Sequence, residues 1–178
     1  GNEVFGWHPY WMGDSWKNYP FELLSTISYF SYKLDPDTGS YLNPAQINDW
    51  RTTALIDSAK VKNTKVLLTV SSHGSKENTL FLDDQKKWEL LSDTLGELLI
   101  SRNADGVDLN FEILPYSKRE KFNRFVKEFK NRMTEKFSET NKEFIRYLYI
   151  SRGSAIEVQS ALYIALDLLS KQKKYSLN

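Results

Sequence analysis

The stretch ADGVDLNFEIL, residues 104–114, narrows the choice of fold more than any other part of the chain. It is an apolar run of strand length that carries Asp108, Asn110 and Glu112 at alternate positions. Side chains of a strand point alternately to its two faces, so these three share one face while Val107, Leu109 and Phe111 take the other. Polar groups about 7 Å apart along one face would ruin an apolar interior, so that face must look onto a polar barrel lumen or a ligand. Asp105 has the opposite parity and falls in the turn leading into the strand. A carboxylate at the C-terminal end of a strand, where α/β folds place their ligands, makes Glu112 a candidate general acid. The competing reading is an acid cluster that binds a cation or caps backbone.

The rest of the pattern supplies a frame for that strand. Residues 3–11 read as a short strand ending in HPYW, and LLSTISYFSYKL, residues 23–34, as a second. KVLLTVSSHG, residues 65–74, is a continuous apolar run stopped by Ser, His and Gly, as expected of a parallel strand covered on both faces. Between them, Asn43 as cap and Pro44 at the first position predict a helix lasting to Asn63, with Ile47, Trp50, Ala54 and Ala59 on its apolar stripe. A short helix fits around 15–24. Asp83 or Asp84 opens another, carrying Trp88, Leu91, Leu95, Leu98 and Leu99. Ser117 and Glu120 form a capping box ahead of Phe122, Phe125, Val126, Phe129, Met133 and Phe137. The alternation predicts βα units joined by right-handed crossovers.

From about Ser138 the texture changes. The segment shows no strand signal, and Phe144, Leu148, Ser151, Ala155, Val158, Leu162, Ala165 and Leu169 recur at the spacing of a helix packed on a helix. The expected organisation is therefore an α/β unit over 1–137 and an all-helical segment over 138–178.

Bulk properties exclude several functions. The 24 basic and 23 acidic side chains nearly cancel, and residues 1–137 hold no basic cluster, so nucleic acid is not the expected partner. Cysteine is absent, which removes disulfides and thiolate chemistry. No apolar run reaches the roughly 18 residues of a membrane span, and no signal peptide opens the chain, so no membrane role is expected. His8 and His73 lie on different strands without a paired ligand pattern, so no metal and no cofactor are expected. Ser71 and Ser72 lack a nucleophile elbow and read instead as shaping a site floor. Aromatic residues crowd positions 5–30. Trp7, Tyr10, Trp11 and Phe30, with Ser71 and His73, are the candidate substrate-binding residues, because the C–H faces of a sugar ring stack on aromatic surfaces.

The spacing of Asp105, Asp108, Asn110 and Glu112 resembles the D-x-x-D-x-D-x-E signature of glycoside hydrolase family 18, the chitinase family. FGWHPYW, ISYFSY and VLLTVSSHG resemble that family's first three strands in the same order, so the resemblance covers residues 3 to about 137. It implies a partial (β/α)8 TIM barrel of about four parallel strands. It also implies hydrolysis of β-1,4 bonds next to N-acetylglucosamine by substrate-assisted retention. Carried over, Glu112 protonates the glycosidic oxygen, residue 110 holds the substrate acetamide, Asp108 tunes residue 110, and Asp105 is structural. The family context favours an extracellular or periplasmic setting. Residues 138–168 resemble small bacterial four-helix-bundle proteins encoded in ribosomal RNA intervening sequences, which implies a helix-packing element.

Two departures weaken the implied activity. Asn110 stands where the signature has an acid, so it can orient an acetamide but brings no charge to an oxazolinium ion. A full barrel takes about 250 residues, and a part barrel has open sheet edges that invite a second copy or cover by the C-terminal helices. Three classes compete: a chitinase-like hydrolase impaired by Asn110, a lectin-like binder of N-acetylglucosamine oligosaccharides, and an interaction protein dominated by its helices.

Overall fold

A computed structural model describes residues 3–138 and, for the backbone, 148–150. The strands are β1 (Phe5–Pro9), β2 (Thr26–Lys33), β3 (Lys65–His73), β4 (Gly106–Glu112) and β5 (Leu148–Ile150). They form one sheet in the order β1-β2-β3-β4-β5, every neighbouring pair parallel. Helices α1 (Pro44–Thr52) and α2 (Leu55–Val61) connect β2 to β3, and α3 (Ser75–Leu82) and α4 (Gln85–Ser101) connect β3 to β4. Helix α5 (Arg119–Ser138) follows β4, after a 3-10 turn at Tyr116–Lys118. Two 3-10 segments, Tyr10–Asn18 and Phe21–Leu23, occupy the link between β1 and β2. A parallel sheet wound in sequence order with its helices on one side is a partial (β/α)8 barrel, as the family resemblance implies, built from the βα units that the strand–helix alternation predicts.

The core lies between the outer face of the sheet and the helices. Ile27, Tyr29, Val66, Leu68, Val70, Val107, Leu109 and Phe111 supply the sheet side. The helices supply Trp50, Leu55, Phe81, Leu91, Leu95, Phe125, Phe129 and others. Phe125 is the hub of an aromatic group, with ring centroids 5.1 Å from Phe81, 5.7 Å from Trp88 and 5.7 Å from Phe111. The six apolar positions predicted for α5 are all buried in it.

The inner face is curved, and one contact measures the curvature. Side by side in a flat sheet, β1 and β4 would lie three strand spacings apart, about 14 Å. Yet the Trp7 indole Nε1 donates to Asp108 Oδ2 at 3.0 Å. Only a sheet rolled towards its inner face brings those strands so near.

Four local readings change. The helix expected from Asn43 to Asn63 is two helices, broken at Thr53–Ala54. The break is held from afar: Arg102 donates to the carbonyls of Trp50 at 3.0 Å and Thr53 at 2.8 Å, which the helix end leaves free. Asn43 does not cap α1 with its side chain. Its Oδ1 accepts from Lys33 N at 3.1 Å and its Nδ2 donates to Ser31 O at 2.9 Å, stapling an irregularity in β2 where the register shifts between Phe30 and Tyr32. The Phe30–Ser31 peptide there is cis. Ser117 sits inside the 3-10 turn that precedes α5. Finally, Leu148–Ile150, expected within a helical tail, pairs with Val107–Leu109 as a fifth parallel strand. The remainder of the bundle-like segment, and with it the expected helical domain over 138–178, lies outside the described residues. Among the described residues no helix is long and apolar enough to cross a membrane.

Candidate active site

The inner face of β4 and its neighbours is built in layers. In the deepest, Asp108 is fully buried, and its Oδ2 accepts from Trp7 Nε1 and from Thr69 Oγ1, each at 3.0 Å. A carboxylate only accepts, so the Thr69 hydroxyl spends its proton on Asp108, and Ser28 Oγ, 2.7 Å from Thr69 Oγ1, must donate in turn. Ser28, Thr69 and Asp108 thus form a directed polar chain across β2, β3 and β4. Asp105 stands apart, as its parity requires. Its Oδ2 accepts from Val66 N at 2.8 Å and ties the start of β4 to β3.

Above this layer, Ser71 and Asn110 are register partners, and His73 and Glu112 are partners at the strand ends. Asn110 Nδ2 donates to Glu112 Oε1 at 3.1 Å. Glu112 Oε1 is the acceptor of that bond, which leaves the Asn110 oxygen towards other partners. The second Glu112 oxygen meets His73 Nδ1 at 3.0 Å, on the exposed rim. Ser71 Oγ is 2.6 Å from Ser31 Oγ, which joins β3 to the irregular part of β2.

These side chains open onto a cleft of about 720 Å³ lined by Tyr10, Trp11, Phe30, Ser71, His73, Asn110 and Glu112, among others. That volume suits a small-molecule or oligosaccharide site. Phe30 and Trp11 stand edge to face at 6.1 Å, Trp11 and Tyr10 likewise at 5.3 Å, and Trp11 is 63% exposed. Of the candidate substrate-binding residues, all but Trp7 line the cleft. Trp7 sits outside that lining, its N–H directed at Asp108. His8 lies on the opposite face of β1, buried against the Tyr29 ring and 3.0 Å from the Tyr19 hydroxyl. Burial holds its imidazole below the usual histidine range, an effect that Asp49 partly opposes. Burial and the 2.5 Å hydrogen bond to Asp49 push the Tyr29 phenol far above its ordinary value, so it remains a donor. No group of three His, Asp or Glu side chains among the described residues is arranged to hold a metal ion.

Sequence reasoning missed the residues that hold the end of β4. Asn78, fully buried on α3, donates from Nδ2 to the Glu112 carbonyl at 2.6 Å, and Gly74 N donates to the same oxygen at 3.2 Å. Asn78 Oδ1 accepts from Ser72 Oγ at 2.6 Å. A polar residue in an unremarkable SKENTLFL segment carries no signal for this. Thr69, under Asp108, was legible only as part of an apolar run.

No protein-family profile matches the chain, and no curated protein does. Solved structures do. A mutant class V chitinase from Nicotiana tobaccum in complex with NAG4 matches with a TM-score of 0.72 at 14% identity, over 84% of this chain and 44% of that one. A GH18 chitinase from Cycas revoluta in complex with (GlcNAc)3 gives 0.71 at 16%, over 84% and 45%. The Bacillus cereus spore cortex-lytic enzyme SleL gives 0.63 at 16%, over 75% and 33%. Over the part it covers the chain shares the fold of these structures, and it spans less than half their length.

Proposed function

We propose that the chain carries the acid-bearing part of a retaining glycoside hydrolase that cuts β-1,4 bonds next to N-acetylglucosamine with the substrate's own acetamide as nucleophile. The observation that carries this reading is the position of Glu112: at the C-terminal end of a barrel strand, on the cleft rim, with one oxygen tethered by Asn110. The complexes of similar chitinases with N-acetylglucosamine oligomers support the choice of sugar.

In this reading a protonated Glu112 gives its proton to the glycosidic oxygen as the bond to the anomeric carbon breaks. The acetamido carbonyl oxygen closes onto that carbon and forms an oxazolinium ion. Glu112, now a carboxylate, then takes a proton from the water that reopens the ring. The Asn110 oxygen accepts the acetamido N–H while its nitrogen stays on Glu112. Asp108, fixed one layer below, supplies the negative charge of the inner layer. Tyr10, Trp11 and Phe30 stack against the sugar faces.

Asn110 also favours a second reading, in which the cleft binds the oligosaccharide and turns it over poorly, because the oxazolinium lacks a charged partner. Hydrolysis of a fluorogenic N,N′-diacetylchitobioside decides between them. Release of fluorophore that Glu112→Gln abolishes supports the hydrolase. Retained chitooligosaccharide binding with no release by the unaltered protein selects the binder.

A further inference from the structure

We propose that Asn78 is a positioning residue for Glu112, holding the backbone turn that aims the carboxylate into the cleft; the inference rests on Glu112 being the acid. Directly after Glu112 the chain enters the left-handed region at Ile113, with φ of 60°. A β-branched residue is a true outlier there, and such strain persists only where the surroundings over-determine it. Ile113 itself is 55% exposed, so its own packing does not hold the turn.

The hold comes from the other side of the peptide. The Glu112 carbonyl receives two donors, Asn78 Nδ2 and Gly74 N. Asn78 is anchored in turn by the Ser72 hydroxyl and by its own place in α3, whose backbone N–H bonds to Gly74 O at 3.0 Å. Amide orientation is unambiguous here, because a carbonyl cannot donate and Nδ2 must face it. The result is a link from β3 through the fully buried Asn78 of α3 to the last residue of β4. The Asn78 bond to Glu112 goes to its backbone carbonyl. Without Asn78 the carbonyl keeps only the longer bond from Gly74 N, so the peptide after Glu112 can rotate out of the left-handed turn and carry the carboxylate away from Asn110.

Hydrogen–deuterium exchange followed by mass spectrometry on the full chain reads the clamp without substrate. In Asn78→Leu, peptides covering residues 109–116 should exchange at least tenfold faster, while those from β2 and α5 keep their protection. Exchange that rises evenly throughout, or does not rise at 109–116, overturns the proposal. Ile113→Gly relaxes the same turn at an exposed position and serves where Asn78→Leu fails to fold. It should loosen the same peptides, and unchanged exchange at 109–116 in this variant overturns the proposal. On the chitobioside both variants should lose about tenfold in kcat with KM changed less than twofold; unchanged kcat overturns the positioning role. Asn78→Gln should not restore kcat, since its longer side chain displaces the amide, and full restoration would also overturn it. A chain that turns nothing over before any substitution refutes the hydrolase reading alone, because the exchange arm does not need turnover.

Discussion

Replacing Asn110 by Asp tests the electrostatic argument at its centre. The substitution keeps the shape of a side chain that lies half-buried beside Glu112, and exchanges a neutral amide for a charge. An acetamide held against residue 110 brings the developing cation to within about 4 Å, where unit charges at an effective dielectric near 20 attract by about 4 kcal/mol. The cleft is open and Glu112's side chain is 44% exposed, so solvent screens about half of that, leaving about 2 kcal/mol in the transition state. At 1.36 kcal/mol per tenfold, kcat should rise about 30-fold. The new carboxylate also faces Glu112 in place of a donor 3.1 Å away, so Asn110→Asp should unfold at lower urea near neutral pH than the unaltered protein. The assay is steady-state hydrolysis of N,N′-diacetylchitobioside at several pH values, with the fold checked by circular dichroism. A folded Asn110→Asp protein with no gain in kcat at any pH refutes the charge argument.

The remaining expectations follow from single contacts. Arg102→Met removes two charge-assisted bonds to the carbonyls at the α1–α2 break, from a side chain only 12% exposed, and should cost about 3 kcal/mol in urea unfolding. Its contact with the 74% exposed Asp57 side chain adds little, so Asp57→Ala should change stability by under about 0.5 kcal/mol. His8 is held below its unfolded value by burial, so the unfolded chain takes up its proton first as pH falls. Stability from this residue is full above about pH 6.5 and declines below it, and His8→Gln should flatten the urea midpoint between pH 7 and 5. Trp11→Ala, at a largely exposed ring, should leave the unfolding midpoint in place and weaken chitooligosaccharide binding about tenfold by calorimetry.

Parity along β4 was enough to read the shared face of Asp108, Asn110 and Glu112 and the separate place of Asp105, because a period of two is a strict geometric rule. The long apolar stripes of α4 and α5 were equally plain. Features set by distant partners were not. The break at Thr53 depends on Arg102, some fifty positions on, and Asn43 is drawn off its cap by the β2 irregularity. Helix α3 is short, with too few turns to show a stripe. At β5 the run Leu148–Ile150 is three residues long, too short for a strand signal, and Leu148 falls on the helical spacing of Phe144 and Ser151. The lesson of Trp7 is similar. Trp7 reads from sequence as a stacking platform, and its polar edge also pins a buried acid, which no local pattern shows.

That tie between Trp7 and Asp108 works like the string of a bow. An indole of fixed length spans the chord, so the bend carries a brace of its own besides the ladders and the helix layer. Strands arriving from elsewhere, on this polypeptide or another, would meet an arc whose radius has already been chosen. Shortening the string, as in Trp7→His, should therefore reshape the cleft without touching a single residue that lines it.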